Sequence, residues 1–322
     1  MQTKYAGQPM ARYVLRRLLS LVPVLLGITF LTYGLMYLSP SDPVELLLQA
    51  QGIPVSEQVT QAMRHAAGLD RPFLQQYLSW LWNFIRGDMG VSLVDGRPVL
   101  ASLQAALPRT LLLTLTSMAA TVLFSVPLGI LSAVRQDRVT DYLIRFLSFL
   151  GNSLPSFLVS LLLLYFISIQ LKLLPVLASG TAGGLILPTL ALAIPMTGKY
   201  IRQVRAAVLE QLGRDYVEGA ISRGVPTRVV LWRDILHNAM LTILTLLSLS
   251  MGSLLGGTAA VERIFVWRGM GYMVMDAILG RDYPVIQAFV VWMSVIYVAI
   301  NLLTDLSYYF LDPRMRQGLG VH

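Results

Sequence analysis

Apolar residues in this chain do not alternate with polar ones. They gather into six runs free of Asp, Glu, Lys and Arg, at 18–38, 110–134, 146–171, 173–198, 235–261 and 283–304, each 21–27 residues long. A helix of about 20 apolar residues crosses a bilayer core. Gly180, Gly183, Gly184 and Pro188 interrupt the fourth run, so its first dozen residues read as a connection and its helix begins near Leu185. The pattern predicts an all-α, polytopic membrane protein with six transmembrane helices.

These runs organise the rest. Residues 1–17 are expected as a cytoplasmic N-terminus before the first transmembrane helix at 18–38, residues 39–108 as a long extracytoplasmic loop, 109–308 as five helices with a charged cytoplasmic segment at 206–238, and 309–322 as a cytoplasmic tail. Arg12, Arg16 and Arg17 precede the first run as in a signal peptide, but the run is too long for one and no A-x-A site follows. It is expected to stay as a helix. MARYVLRRLL reads as a natural start, which leaves the choice between Met1 and Met10 open.

The long connection has its own periodicity. Val55, Val59, Ala62 and Ala66 recur at helical spacing, as do Tyr77, Leu78, Leu81, Trp82 and Ile85. Tyr77, Trp80 and Trp82 suit a helix at headgroup level. Such helices serve as a packing cap or as a contact for another protein. A second outer segment, 262–281, carries Phe265, Trp267, Gly269 and Gly271 and is expected near the same mouth, its aromatics belonging to that mouth or equally serving as interface anchors.

Composition narrows the class. The chain is 55% apolar and 13% charged, with mean hydropathy +0.64 and net charge +8. Nucleic acid is not implied, because the basic residues flank the apolar runs. Sixteen Lys and Arg fall on the side holding both termini and nine on the other, which places both ends in the cytoplasm. With no cysteine, disulfides and thiolate metal sites are excluded. His65, His237 and His322 are too scattered for a ligand set, so no metal site is expected.

The charged segment RDYVEGAISRGVPTRVVLWRD, 214–234, carries seven charges. At roughly 2.5–3.5 kcal/mol for each charge at a helix centre it does not span a bilayer. Tyr216, Val217, Ala220 and Ile221 predict a short helix. Gly224 ends it in a left-handed conformation and Pro226 opens the next, from Thr227 to Leu236. Val, Ile and Trp are then left beside water, resting on the bilayer or gripped by a partner.

DYVEGAISRG followed by HNAM resembles the "EAA" loop of bacterial ABC-importer permeases, with Glu218, Gly219, Ala220 and Gly224 filling the pattern. The usual second Ala is Gly219 here, and the end of the pattern is loosely matched after Ile235. Segments 68–99, 125–141, 281–287 and 311–316 (LDPRMR) resemble the dipeptide/oligopeptide/nickel group of these permeases, and the likeness covers roughly residues 10–316. The resemblance implies a type I ABC importer permease fold in the bacterial inner membrane. It also implies a sister permease subunit, two ATPase subunits that bind ATP and Mg, and an extracytoplasmic substrate-binding protein. It gives Asp215, Glu218, Gly219, Ala220, Gly224, Arg228 and Arg233 the role of an ATPase-coupling loop.

The chain has no G-x-x-x-x-G-K-[ST] phosphate loop, so it is expected to bind no nucleotide and to be no enzyme. No ionisable residue sits at mid-depth of a run, which disfavours a self-contained secondary carrier. Asn152, Ser153 and Pro155, with Met251 of a methionine set, are candidate pathway-lining residues, against the alternatives of ordinary helix–helix hydrogen bonding for Asn152 and Ser153 and plain packing for the methionines. The phrases RFLSFLGNSLPSF and RAAVLEQLGRDYV resemble the nickel and metal-chelate branch; small peptides remain the alternative cargo.

Overall fold

A computed structural model describes residues 10–38, 44, 45, 48, 56–66, 68–177 and 182–311. Expectations resting on Lys4, Val55, Gly180, residues 312–316 and His322 lie outside them.

The chain forms two compact units. One, built from Ala11–Thr110 and Arg268–Val298, begins with helix α1, Met10–Tyr37. Helices α2, Glu57–Ala66, and α3, Phe73–Ile85, fall in the predicted connection. Aromatic edges dock α3 on α1: Phe30 lies 5.4 Å from Phe73 and 5.3 Å from Tyr77, and Tyr33 lies 5.7 Å from Trp80. The Tyr77 hydroxyl shares a 2.9 Å hydrogen bond with Thr29. Tyr77 is therefore buried, and only Trp82 of the expected surface set is exposed, with the Arg86 guanidinium 4.5 Å above its ring.

In the same unit, helix α11, Met270–Leu279, and the start of α12, Tyr283–Leu311, pack Met270, Ala277, Val285 and Ala288 against Val99, Leu103 and Ala106. The buried Asp282 carboxylate accepts hydrogen bonds from the Ser92 hydroxyl and, at 3.1 Å, from the Leu93 amide. Two of the sequence segments that carried the family resemblance, 68–99 and 281–287, are thereby stitched together.

The other unit holds, among the described residues, Met10, Leu111–Trp267 and 299–311, whereas Arg109 and Arg268 belong to the first. Helix α4, Val99–Val134, starts before its apolar run, passing through Arg109, whose guanidinium donates to the Arg268 carbonyl at 3.1 Å. The third predicted run is not one straight helix. It divides into α5, Val139–Ser153, and α6, Ser156–Leu163, which continues as a π-helical stretch, Leu164–Gln170, and the two parts bend by 99°. The cause is local: Pro155 removes a donor and holds Leu154 extended at φ −91°, ψ 126°. An uncharged run conceals such a break.

Helix α7, Ala182–Leu212, is the hub against which α5, α6 and α10, Leu236–Ile264, all pack. Glycine brings α5 and α7 together: a Cβ at Gly198 would stand 2.4 Å from the Ser148 carbonyl oxygen, and one at Gly151 would stand 3.4 Å from that of Ile194. At the other end, Phe265 and Trp267 are 1% and 5% exposed, packed with Leu113, Leu187, Ala191 and Leu254. They are core residues of this unit rather than interface anchors.

Among the described residues three helices are long and apolar enough to cross a membrane, Val99–Val134, Gly183–Leu212 and Tyr283–Leu303, and the bent α5–α6 pair supplies a fourth if counted as one span. The remaining predicted runs, 18–38 and 235–261, coincide almost wholly with α1 and α10.

Candidate functional site

The charged segment folds as an elbow. Helix α7 ends at Leu212, and Arg214 turns extended at φ −89°, ψ 144° before α8, Asp215–Ser222. Asp215 and Glu218 stand in the first turn of α8, where the helix dipole favours negative charge. The helix ends in a double backbone clasp: the Gly224 amide donates to the Ile221 carbonyl at 2.8 Å and the Val225 amide to Ala220 at 3.1 Å. That pairing needs a left-handed residue, and Gly224 has φ +81°. A Cβ there would meet nothing within 4 Å, so the glycine serves the turn and not a close contact. Pro226 then precedes α9, Thr227–Val229, which runs through a π-helical turn, Val230–Ile235, into α10.

Burial divides the elbow into two faces. Val217 and Ala220 are buried with Ile130 and Ala133 of α4, Val204 and Val208 of α7, and Val230, Ile235 and Ala239. Ala220, a candidate contact residue, thus faces its own bundle. Asp215, Glu218, Arg228 and Arg233 are exposed and Gly219 half-buried. Among them lie exposed apolar side chains, Tyr216, Ile221, Val229 and Trp232, the last 65% exposed. The elbow offers water a mixed surface while its inner face is locked to α7.

A buried ion pair fixes the same end of the bundle. Asp141, in the first turn of α5, accepts from Arg205 Nε at 2.9 Å and from a terminal guanidinium nitrogen at 2.7 Å. The Ser132 hydroxyl donates to the same carboxylate at 2.5 Å, and the Asp137 amide at 3.1 Å. Asp141 is wholly buried and the Arg205 side chain 18% exposed. Such two-pronged, charge-assisted geometry is directional, so it sets the position of α5 on α7. Sequence reading missed this pair because 64 positions separate its members.

The pathway candidates are placed but not gathered. Asn152, Ser153 and Pro155 are exposed at the α5–α6 bend, and the Ser153 hydroxyl is taken up by the Phe149 carbonyl at 2.8 Å. Met251 lies half-buried in α10.

With this geometry in view, the comparisons with known proteins speak to one family. Residues 125–317 match the binding-protein-dependent transport system inner membrane component, and residues 10–114 match the N-terminal part of such membrane components. Over 317 residues the chain is 37% identical to the oligopeptide transport system permease protein AppB of Bacillus subtilis, covering 95% of this chain and 99% of that protein. It is 35% identical over 307 residues to the glutathione transport system permease protein GsiC of Escherichia coli K12, with the same coverage. A chain of the MetNI methionine ABC transporter superposes with a TM-score of 0.57 at 16% identity, over 67% of this chain and 99% of that one, which shows a shared fold.

The chain belongs to the binding-protein-dependent transport system inner-membrane component family. It is a multi-pass permease subunit of an ABC importer, with ATP hydrolysis in a separate subunit, and so is not itself an enzyme. Membership implies an ATPase and a substrate-binding protein as partners.

Proposed function

We propose that this chain, paired with a sister permease subunit, forms the path by which peptides enter the cell, and that the elbow at Asp215–Ser222 is the part gripped by one of two ATPase subunits. Both termini then lie in the cytoplasm, as the Lys and Arg distribution asks. The observation that carries the coupling reading is the two-faced burial of α8. Its inner residues are packed against α4 and α7, so a push on its outer residues Tyr216 and Ile221 moves the bundle and not a loose loop. A short helix presenting apolar side chains among charges is suited to a groove on a partner.

Peptide cargo is favoured over the nickel chelate of the sequence reading because AppB and GsiC are named for oligopeptide and glutathione transport. The bend at Asn152–Pro155 is the candidate lining of the path, since exposed polar groups beside a proline-broken helix suit a wet route. Asn152, Ser153 and Pro155 would contribute there, with Met251 a softer wall.

The test is reconstitution in liposomes with the sister permease, both ATPases and the binding protein. Uptake of a labelled tri- to pentapeptide should depend on ATP. Uptake of a nickel–histidine chelate alone would overturn the cargo, and peptide uptake without the ATPases would overturn the coupling.

A further inference from the structure

Beside the Asp141–Arg205 pair lies an open groove of about 510 Å³ lined by Tyr142, Arg145, Phe146 and Phe149 of α5 and by Arg202 and Arg205 of α7. Its chemistry is segregated. Arg205 is committed to Asp141, yet Arg145 and Arg202 are exposed and form no ion pair among the described residues. Arg145 lies 5.7 Å from the centre of the Tyr142 ring. Of the carboxylates on α5, its preceding turn and α7, Asp141 is buried and paired, Asp137 is exposed, and Glu210 pairs with Arg214. Two cationic forks thus stand uncompensated at one end of the groove. Along α5 the lining turns aromatic, and Phe146 and Phe149 are each 62% exposed, with Leu143, Leu147 and Leu150 exposed on the same helix.

We propose that this groove holds the headgroup of an anionic phospholipid, with the two guanidiniums on the phosphate and the rings of Phe146 and Phe149 against the first methylenes of the acyl chains. A planar guanidinium matches phosphate oxygens in pairs, which an ammonium does not. Basic pockets between helices near a membrane surface take acidic headgroups in this way. A free phosphate or a peptide carboxylate fits the cations alone; a phospholipid meets the cations and the aromatic stretch with one molecule. The lipid then sits on the α5–α7 contact that Gly198 and the ion pair define, and so biases how firmly α5 holds the hub. The inference rests on the chain being embedded in a membrane and not on the coupling role of the elbow, so either can fail alone.

The test is photo-crosslinking of the full transporter in nanodiscs with diazirine-tagged phosphatidylglycerol or phosphatidylcholine, followed by peptide mapping. Phosphatidylglycerol should label peptides covering residues 142–149 and 199–205 about tenfold more than phosphatidylcholine does. R145Q/R202Q should remove that preference, R145K/R202K should restore part of it, and glycerol phosphate at millimolar concentration should not compete. Equal labelling by the two lipids in the unmodified protein overturns the proposal whatever the variants do. Competition by glycerol phosphate, or crosslinking of these peptides to the sister subunit in place of lipid, overturns it too.

Discussion

Asp141 and Arg205 are joined by two nearly parallel hydrogen bonds of 2.9 and 2.7 Å, on a carboxylate with no exposure to water. The pair ties the start of α5 to the helix that leads directly into the elbow. Removing one partner leaves the other charge with its desolvation uncompensated. Asp141→Asn should therefore cost about 3 kcal/mol of stability. Thermal unfolding of the detergent-solubilised transporter checks this, and the added change Arg205→Gln should recover part of the loss. An unchanged unfolding temperature in Asp141→Asn would show that the pair holds nothing.

The α5–α7 crossing makes a second prediction. Gly198→Ala places a methyl group where backbone already stands, 2.4 Å from the Ser148 oxygen, whereas a Cβ at Gly256 meets nothing within 4 Å. Gly198→Ala should reduce the yield of folded protein severalfold, and Gly256→Ala should be neutral by gel-filtration profile. Equal behaviour of the two would contradict the close crossing.

Gly224 is required by conformation. Gly224→Ala forces a side chain at φ +81° and should cost about 1–2 kcal/mol, with Gly224→Asn milder. The effect should appear as faster amide exchange of the Gly224 and Val225 amides that close the turn. Free space around the position means that sterics would not explain a loss.

The two faces of α8 separate folding from coupling. Val217→Asp buries a charge in the core with Val204 and Val230 and should destabilise the chain. Ile221→Asp changes a residue that is 46% exposed and should leave the unfolding temperature unchanged while lowering ATP-driven uptake at least tenfold. Full uptake by Ile221→Asp would remove this face from the contact.

The turn between α8 and α9 was legible in the sequence because Gly224 and Pro226 act through their own backbones, within a few residues. The apolar runs were legible because a bilayer demands length. What escaped was decided at a distance or hidden by uniform composition. The members of the Asp141–Arg205 pair lie 64 positions apart, and Arg145, which bounds the third uncharged run, lies inside α5, so the helix starts before the run does. The 99° bend fell within an uncharged run, where only Leu154–Pro155 signalled it. Ala220 and Gly224 looked alike as small residues, yet one is small for the core and the other for its φ angle. Tyr77, read from its residue type as one of a headgroup-level set, is also packed against α1, where its hydroxyl meets Thr29, a contact across 48 positions that no local pattern signals.

The most direct test of the elbow's role uses a thiol at its exposed end. The chain has no cysteine, so Ser222→Cys is a single reactive site on the last turn of α8. In the assembled transporter, a short bismaleimide should join it to a cysteine placed in the surface groove of one ATPase subunit, with a yield that changes when nucleotide is added. A Ser222→Cys chain that assembles and imports peptide normally, yet never crosslinks to either ATPase with cysteines placed across that face, would contradict the account.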